Sequence, residues 1–296
     1  MRLSIVTPSL NAQRFIAEAV ASVADAGSAE IEHIVVDGGS TDGTLETLRR
    51  QAHLRVLVRP GLRLYPALNL GVAEASGDVI GFLNADDRYL PGALGQAAAA
   101  LAAAPEADCA SGGARVVRLT QAGGRERVIE HNSAPHKLLD WDPLLFGAPV
   151  INARFFRKSF VKRLGGFDAR YAIAADREWL IRAKLAGMRL AAIDTVVYEY
   201  REHAASLTIN RDRTNAARIR DEHCAIMRQY VGDPRARGIM RRWHAWETGR
   251  DALRHLAHGE IALAGRVARE GTAESALWLP RFLAEAPMRV VARLAR

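Results

Sequence analysis

Asp86 and Asp87 stand side by side at the end of Asn84-Ala85-Asp86-Asp87, directly after the apolar run Val79-Ile80-Gly81-Phe82-Leu83. A carboxylate at the carboxyl end of a buried strand is held by a rigid element yet reaches solvent, and ligands bind at that edge of an open α/β sheet. Asp86 is placed to take a hard divalent cation, Mg²⁺ or Mn²⁺, whose remaining ligands would be water and diphosphate oxygens. An isolated Asp-Asp pair is more often a solvated acidic turn, so the company it keeps decides. Asp37 ends a second apolar run, Ile31 to Val36, and small residues follow it. A planar base and ribose could approach the backbone there while the carboxylate accepts hydrogen bonds; a turn-forming Asx residue is the equally good alternative. Asp176 opens a helical segment and reads either as an N-cap or as a carboxylate able to take a proton from an incoming hydroxyl. His203 follows the strand-like residues 196–200 and could reach a metal or a diphosphate, although a lone surface histidine is ordinarily just that.

These residues share a site only if the chain folds to bring them together. Residues 3–7, 31–36, 54–58 and 78–83 read as strands. Between them lie a helix capped by Asn11, with Phe15, Ile16, Ala19, Val20 and Val23 at helical spacing up to Gly27, a helix through Leu45 and Leu48, and one over residues 65–76. Strand–helix repetition with short turns predicts a doubly wound α/β domain, because parallel strands need crossover connections. Thr7-Pro8-Ser9, Asp37, residues 84–87 and Asp176 then follow or end elements whose tips share one edge. Beyond Pro91 the pattern predicts a helix through Ala104, a hairpin of residues 114–119 and 127–130 around Gly123-Gly124, and a short helix at 138–145. A strand at 150–156, helices at 159–164 and 176–186, and two strands at 190–193 and 196–200 follow. From Thr208 onward only helices are expected, which divides the chain into residues 1–207 and a basic helical extension, residues 208–296.

Composition narrows the class. With 296 residues, 49% of them hydrophobic, the chain can fill a sizeable core. Two cysteines, Cys109 and Cys224, without metal-type spacing, fit a reducing compartment. No apolar run suits a signal peptide or a membrane span, so a cytoplasmic protein is expected. The formal charge of +8 is uneven: residues 211–296 carry 17 basic and 10 acidic side chains, residues 1–210 carry 24 and 23. Such a tail suits an acidic partner. The serines lack triad partners, the glycines around 38–43 miss the dinucleotide fingerprint, and no Walker lysine is present.

At this point the chain resembles the family 2 inverting glycosyltransferases with the GT-A fold. The landmarks are residues 4–11 (SIVTPSLN), 34–44 (IVVDGGSTDGT), 67–71 (ALNLG), 81–87 (GFLNADD), Gly165-Gly166-Phe167-Asp168 and Ala174-Ala175-Asp176, in that order. The resemblance covers roughly residues 1–207. It implies a GT-A-like, mixed but mainly parallel sheet flanked by helices, with a C-terminal helical extension. It implies that Thr7, Pro8, Ser9 and Asp37 line a nucleoside pocket and that Asn84, Ala85 and Asp86 form the nucleotide-sugar and metal motif, Asp86 being the ligand of Mn²⁺ or Mg²⁺. Asp176 would be the catalytic base and single displacement would invert the anomeric centre. The chain departs from the family pattern at Asn84, where an aspartate is usual, at Ala175, where many members have glutamate, and at Ile151-Asn152 in place of a His-Gln pair.

The resulting expectation is transfer from a nucleotide-diphosphate sugar, a UDP-sugar first, to a glycan or lipid-linked acceptor of a surface polysaccharide. Sugar choice would rest on the stretch from Cys109 to Ala153. Trp278, Leu279, Phe282, Leu283, Val290, Val291 and Leu294 beside Arg281, Arg289, Arg293 and Arg296 suggest helices that dock on an anionic membrane, the inner face of the plasma membrane; packing on the catalytic domain or within a homodimer explains the pattern equally well. The competing readings are a nucleotidyltransferase acting on sugar phosphates, for which the first strand lacks a glycine-rich basic phosphate loop, and a nucleic-acid-binding protein using the basic tail, for which no recognition motif is present.

Overall fold

The computed structural model describes residues 1–25, 30–119, 126–132, 139–147, 149–203 and 215–294. The chain divides into two compact units, Met1–Arg213 and Thr214–Arg296. The boundary expected near residue 208 and the Gly123-Gly124 turn lie outside the described residues.

The first unit opens with strand β1 (Arg2–Ser9), helix α1 (Ile16–Ala24), β2 (Glu30–Asp37), α2 (Thr44–Arg49), β3 (Leu54–Val58), α3 (Leu64–Glu74) and β4 (Val79–Phe82). It continues with β5 (Arg88–Tyr89), α4 (Ala93–Ala103), β6 (Cys109–Leu119), β7 (Glu126–Asn132), α5 (Trp141–Phe146) and β8 (Arg154–Arg157). Helices α6 (Lys158–Leu164) and α7 (Ala175–Leu185) and strand β9 (Leu190–Glu202) complete it. Its strands form one sheet in the order β3-β2-β1-β4-β8-β6-β9-β5, with β7 beside β6. Strands β1 to β4 pair in parallel, as does β6 with β9, whereas β4–β8, β6–β8, β5–β9 and β6–β7 are antiparallel. The expected mixed, mainly parallel doubly wound sheet is therefore present.

The parallel half follows from its side chains. Ile5, Val6, Ile34, Val35, Val36, Val79 and Ile80 are fully buried, the near-continuous apolar runs of strands covered on both faces. Helix α1 buries Ile16, Ala19, Val20 and Val23, one stripe at helical spacing; each large aliphatic removed from water contributes about 1.5–3 kcal/mol. Pro8 is tolerated in β1 because pairing with β4 ends at Val6, leaving Pro8 with one neighbouring strand, β2.

Several local expectations need correction. Asn11 does not cap α1: it has φ 50°, the helix begins at Ile16, and the Asn11 side chain accepts the Thr41 N–H instead. Residues 150–156 divide into a 3₁₀ turn, Ile151–Ala153, and β8. The two strands expected at 190–200 are one strand, β9, which slips register against β6 and so stays paired past its exposed Asp194 and Thr195. The two-residue strand β5 was not expected.

The second unit consists of α8 (Ala216–Tyr230), α9 (Arg237–Ala257), α10 (Ile261–Glu274) and α11 (Trp278–Leu294). Trp278 and Phe282 are buried against Ala245 and Trp246 of α9, so these two tail aromatics face inward, while Leu279 and Leu283 are exposed. Of the other tail residues singled out, 289–294 lie where only the backbone is described and Arg296 lies outside the described residues. Among the described residues, no helix is long and apolar enough to cross a membrane.

Gly71 marks where α3 touches the sheet, since a Cβ at that position would collide with Val6 Cγ1. Gly71→Ala is expected to destabilise the protein by about 1–3 kcal/mol through overpacking. Urea denaturation, with an unchanged slope and a lower midpoint, would show it.

Candidate functional site

The parallel strands bring three sequence-distant segments to one edge. Ser9 at the end of β1 pairs with Asp37 at the end of β2, and β4, on the other side of β1, runs in the same direction into residues 84–87. Two loops at this edge are tied to each other. The backbone N–H groups of Asn11, Ala12 and Gln13 donate to Ser40 Oγ, Thr44 Oγ1 and Asp42 Oδ2, and Asn11 Oδ1 accepts from the Thr41 N–H. Gly43, with φ 90°, makes the sharp entry to α2 that a side chain would strain. The donors from Gln13 and Thr44 hold the Asp42 carboxyl below the ordinary range, against a desolvation contribution that raises it.

Asp37 is fully buried, its Oδ1 accepting the N–H groups of Gly39 and Ser40 and its Oδ2 the Ser40 hydroxyl, the bonds of the turn-forming alternative. Thr7 is also buried, with Oγ1 2.9 Å from His33 Nε2. Burial pushes His33 down to about 3, so the imidazole is neutral in the sheet. Pro8 is likewise covered. Ser9 differs from its neighbours: its Oγ is buried and has no hydrogen-bond partner among the described residues. A buried hydroxyl without a partner is costly unless a ligand or water completes it.

After β4 the four side chains go four ways. Asn84 donates Nδ2 to Asp87 Oδ2 at 2.8 Å, and its Oδ1 lies 3.4 Å from Asn152 Nδ2. Ala85 packs into the cluster of Ile16, Val20, Val35 and Leu48, so its methyl does not face a ligand. Asp87 is fully buried and accepts the Tyr198 hydroxyl (2.6 Å) and the Arg201 N–H (2.8 Å). Burial, and secondarily the neighbouring Asp86, push its carboxyl up to about 8, against the pull of those donors. Asp86 is the member of the pair that faces solvent, its side chain about one-third exposed and its Oδ2 3.0 Å from His203 Nε2.

His203 thus lies beside Asp86. Sequence reasoning missed what puts it there. The imidazole stacks on Phe15 at 4.7 Å, and the buried Arg201 guanidinium lies 5.1 Å from the centre of the same ring while donating Nε to the Asp86 carbonyl at 2.6 Å. Asp86 and His203 offer one oxygen and one nitrogen donor. Among the described residues no group of three His, Cys, Asp or Glu side chains could hold an ion. A cation here would therefore take most of its shell from water and ligand oxygens, a donor set that fits Mg²⁺ or Mn²⁺.

Asp176 occupies the first turn of α7, after the N-cap Ala174, so it is not itself the cap. Its Oδ1 accepts the Arg177 N–H at 2.8 Å and the Tyr65 hydroxyl at 3.2 Å. The residue keeps a partly exposed face, yet the protein packed around the carboxyl pushes it above the ordinary range, with the Arg177 charge opposing. A contact chain joins it to the strand edge: Tyr65 lies against Phe167 (5.4 Å between ring centres) and Phe167 against Phe82 (5.3 Å), the last residue of β4. The arrangement presents a solvent-facing carboxylate with an imidazole at the sheet edge, and a separate carboxyl of raised proton affinity on α7.

Known proteins share this chain's sequence and architecture. It is 34% identical over 194 residues to an uncharacterized glycosyltransferase of Mycobacterium tuberculosis, covering 62% of this chain and 69% of that one. It is 30% identical over 213 residues to the O-antigen biosynthesis protein RfbC of Myxococcus xanthus, covering 69% of this chain and 16% of that protein. Among solved structures, S. aureus TarS in complex with UDP-GlcNAc superposes with a TM-score of 0.61 at 18% identity, covering 82% of this chain and 70% of that one. The mannosyltransferase PcManGT of Pyrobaculum calidifontis, in complex with GDP-Man and Mn²⁺, gives a TM-score of 0.59 at 19% identity over 98% and 80% of the two chains. Both likenesses bear on the fold, which is GT-A-like. Residues 4–165, more than half of the chain, match the model of glycosyl transferase family 2, and the protein is a member of that enzyme family.

Proposed function

We propose that this glycosyltransferase moves a sugar, with inversion, from a nucleotide-diphosphate sugar to a hydroxyl of a glycan or lipid-linked acceptor in surface polysaccharide synthesis, using Mn²⁺ or Mg²⁺. The observation that carries the reading is the Asp86–His203 pair at the carboxyl edge of β4. The unpartnered Ser9 hydroxyl beside the Asp37 turn supports a nucleoside pocket lined by Thr7, Pro8, Ser9 and Asp37. Asp37 and Thr7 contribute there by fixing the loop and strand, and Asn84 and Ala85 by fixing the turn that carries Asp86. The donor class is supported by the solved neighbours, TarS with UDP-GlcNAc and PcManGT with GDP-Man and Mn²⁺. UDP-sugars are the first choice. The O-antigen biosynthesis relative supports a surface polysaccharide as product.

In this mechanism the bound metal would supply a positive charge that offsets the charge developing on the departing diphosphate. Asp86 and His203 would hold it. Asp176 takes the proton of the acceptor hydroxyl as that oxygen bonds to the anomeric carbon and the bond to the diphosphate oxygen breaks. A base with raised proton affinity suits this step, because the proton it must remove is held tightly. The second unit would meet an anionic membrane where a lipid-linked acceptor resides. Support comes from the exposed Leu253, Leu256, Ile261, Leu263, Leu277, Leu279 and Leu283 and from the basic excess of residues 211–296.

Four outcomes are expected. Asp176→Asn should retain UDP affinity and lose transfer by roughly two to four orders of magnitude, the span general acid–base catalysis supplies. Because the working form is the carboxylate, the wild-type rate should fall as pH drops through a midpoint above the ordinary aspartate range, and a pH–rate profile would show it. In a thermal-shift screen, UDP or a UDP-sugar with Mn²⁺ should raise Tm by mass action, and Asp86→Asn should remove the Mn²⁺-dependent part. An unchanged metal response in that variant would defeat the ligand assignment. On flotation, the protein should rise with anionic vesicles at low salt and less at high salt; absence from the floated fraction at low salt would end the membrane reading.

A further inference from the structure

Helix α3 braces the segment that carries Asp176 through two residues one turn apart. Asn69 accepts the Phe167 N–H and donates to the Phe167 carbonyl, both at 2.8 Å, holding that residue by both backbone groups. Tyr65, four residues earlier and so on the same helix face, is buried with its ring against Phe167. Its hydroxyl reaches the Ile173 carbonyl at 2.6 Å and Asp176 Oδ1 at 3.2 Å. The phenol has one proton for these two acceptors. The shorter contact fixes the ring, and the contact to Oδ1 gains strength when Asp176 is charged, since hydrogen bonds to an ionised acceptor are roughly twice as strong as neutral ones.

The two oxygens of Asp176 are therefore not equivalent. Oδ1 receives both the Tyr65 hydroxyl and the Arg177 backbone N–H, whereas among the described residues no group of another residue donates to Oδ2; the Asp176 N–H also bears on the carboxyl. We infer that Tyr65 is a positioning residue: with the Arg177 N–H it occupies Oδ1 and leaves Oδ2 as the oxygen that takes the proton of the incoming hydroxyl. This rests on the reading of Asp176 as the base. In the proton transfer, the acceptor O–H bond breaks as an O–H bond forms at Oδ2, and the phenolic proton turns back to the Ile173 carbonyl as the charge on Asp176 is lost. Among the described residues, Arg177 on α7 and Tyr65 on α3 are the charged and titratable groups that bear on this carboxyl.

Tyr65→Phe keeps the ring and removes only the hydroxyl. Carboxyl-carbon NMR titration of the whole protein, with Asp176→Asn identifying the resonance, reads the consequence without an acceptor. The midpoint of Asp176 should rise by about one pH unit in Tyr65→Phe, the effect of losing one hydrogen bond to a charged group, and turnover at neutral pH should fall roughly tenfold with UDP affinity unchanged, because the untethered carboxyl no longer presents Oδ2 in place and this loss outweighs the gain in basicity. A fluorinated tyrosine at position 65, a more acidic donor, should lower the midpoint, and it decides the matter where Tyr65→Phe does not fold. A midpoint that stays put in both variants overturns the inference while leaving Asp176 as base. Transfer by Asp176→Asn at the wild-type rate removes the base, and the role of Tyr65 with it.

Discussion

A buried carboxyl holds the site together. Asp87 lies one residue beyond Asp86 and is tied to β9 by the Tyr198 hydroxyl and the Arg201 N–H, across more than a hundred residues of chain. Because the bonds to Asp87 fix the 84–87 turn against the end of β9, they also fix Asp86 beside His203, two residues past Arg201. An unsatisfied polar group left buried costs about 1–3 kcal/mol, so the turn and strand cannot separate without exposing or orphaning several groups at once. Arg201 adds to the joint by bonding the Asp86 carbonyl and by reaching Glu18 at 2.6 Å on α1. The adjacent aspartates thus divide the work. One is desolvated and structural, and the other faces solvent with an imidazole.

The same division runs through the β1–β2 side of the edge. Asp37 has its carboxylate committed to its own turn, and Asp42, Ser40 and Thr44 tie that turn to residues 11–13. Such a network orders two loops against each other before any ligand arrives, which lowers the entropy that binding must overcome. The residues with polar side chains at this edge are therefore mostly the frame. The Ser9 hydroxyl is the exception, buried beside this frame with no partner among the described residues.

How much of this the sequence discloses depends on distance along the chain. The strands β1 to β4 and the helices between them are legible because apolar period and turn residues are local signals, and β3 falls where periodicity puts it. Asp86 and Asp176 stand out through their segment order. The Asp87–Tyr198 bond, the Phe15–His203 stack and the Tyr65–Asp176 contact are not legible, because nothing in either member of a pair names its partner. Asn11 misled for a physical reason: asparagine is a good N-cap, but it also tolerates the left-handed conformation, and here a loop-to-loop bond took its side chain. Strand β9 looked broken because Asp194 and Thr195 are polar, and only its slipped pairing with β6 shows that it continues.

The basic second unit shows why an amphipathic pattern leaves its partner open. Trp278 and Phe282 read from sequence as a possible membrane face, yet they fill the gap between α9 and α11, where Gly249 gives the Phe282 ring room. Leu279 and Leu283 occupy the same helix and remain exposed, so one stretch of α11 serves an internal and an external surface. Many of the arginines are likewise engaged within the unit. Arg220 meets Asp251 at 2.7 Å, Arg228 meets Glu274 at 2.7 Å and Arg242 meets Glu285 at 2.5 Å. Pairing of this kind leaves the net charge unchanged but confines much of the guanidinium surface to intramolecular contacts. What the unit presents outward is therefore a diffuse positive field around scattered leucines, with few arginines left for bidentate contacts.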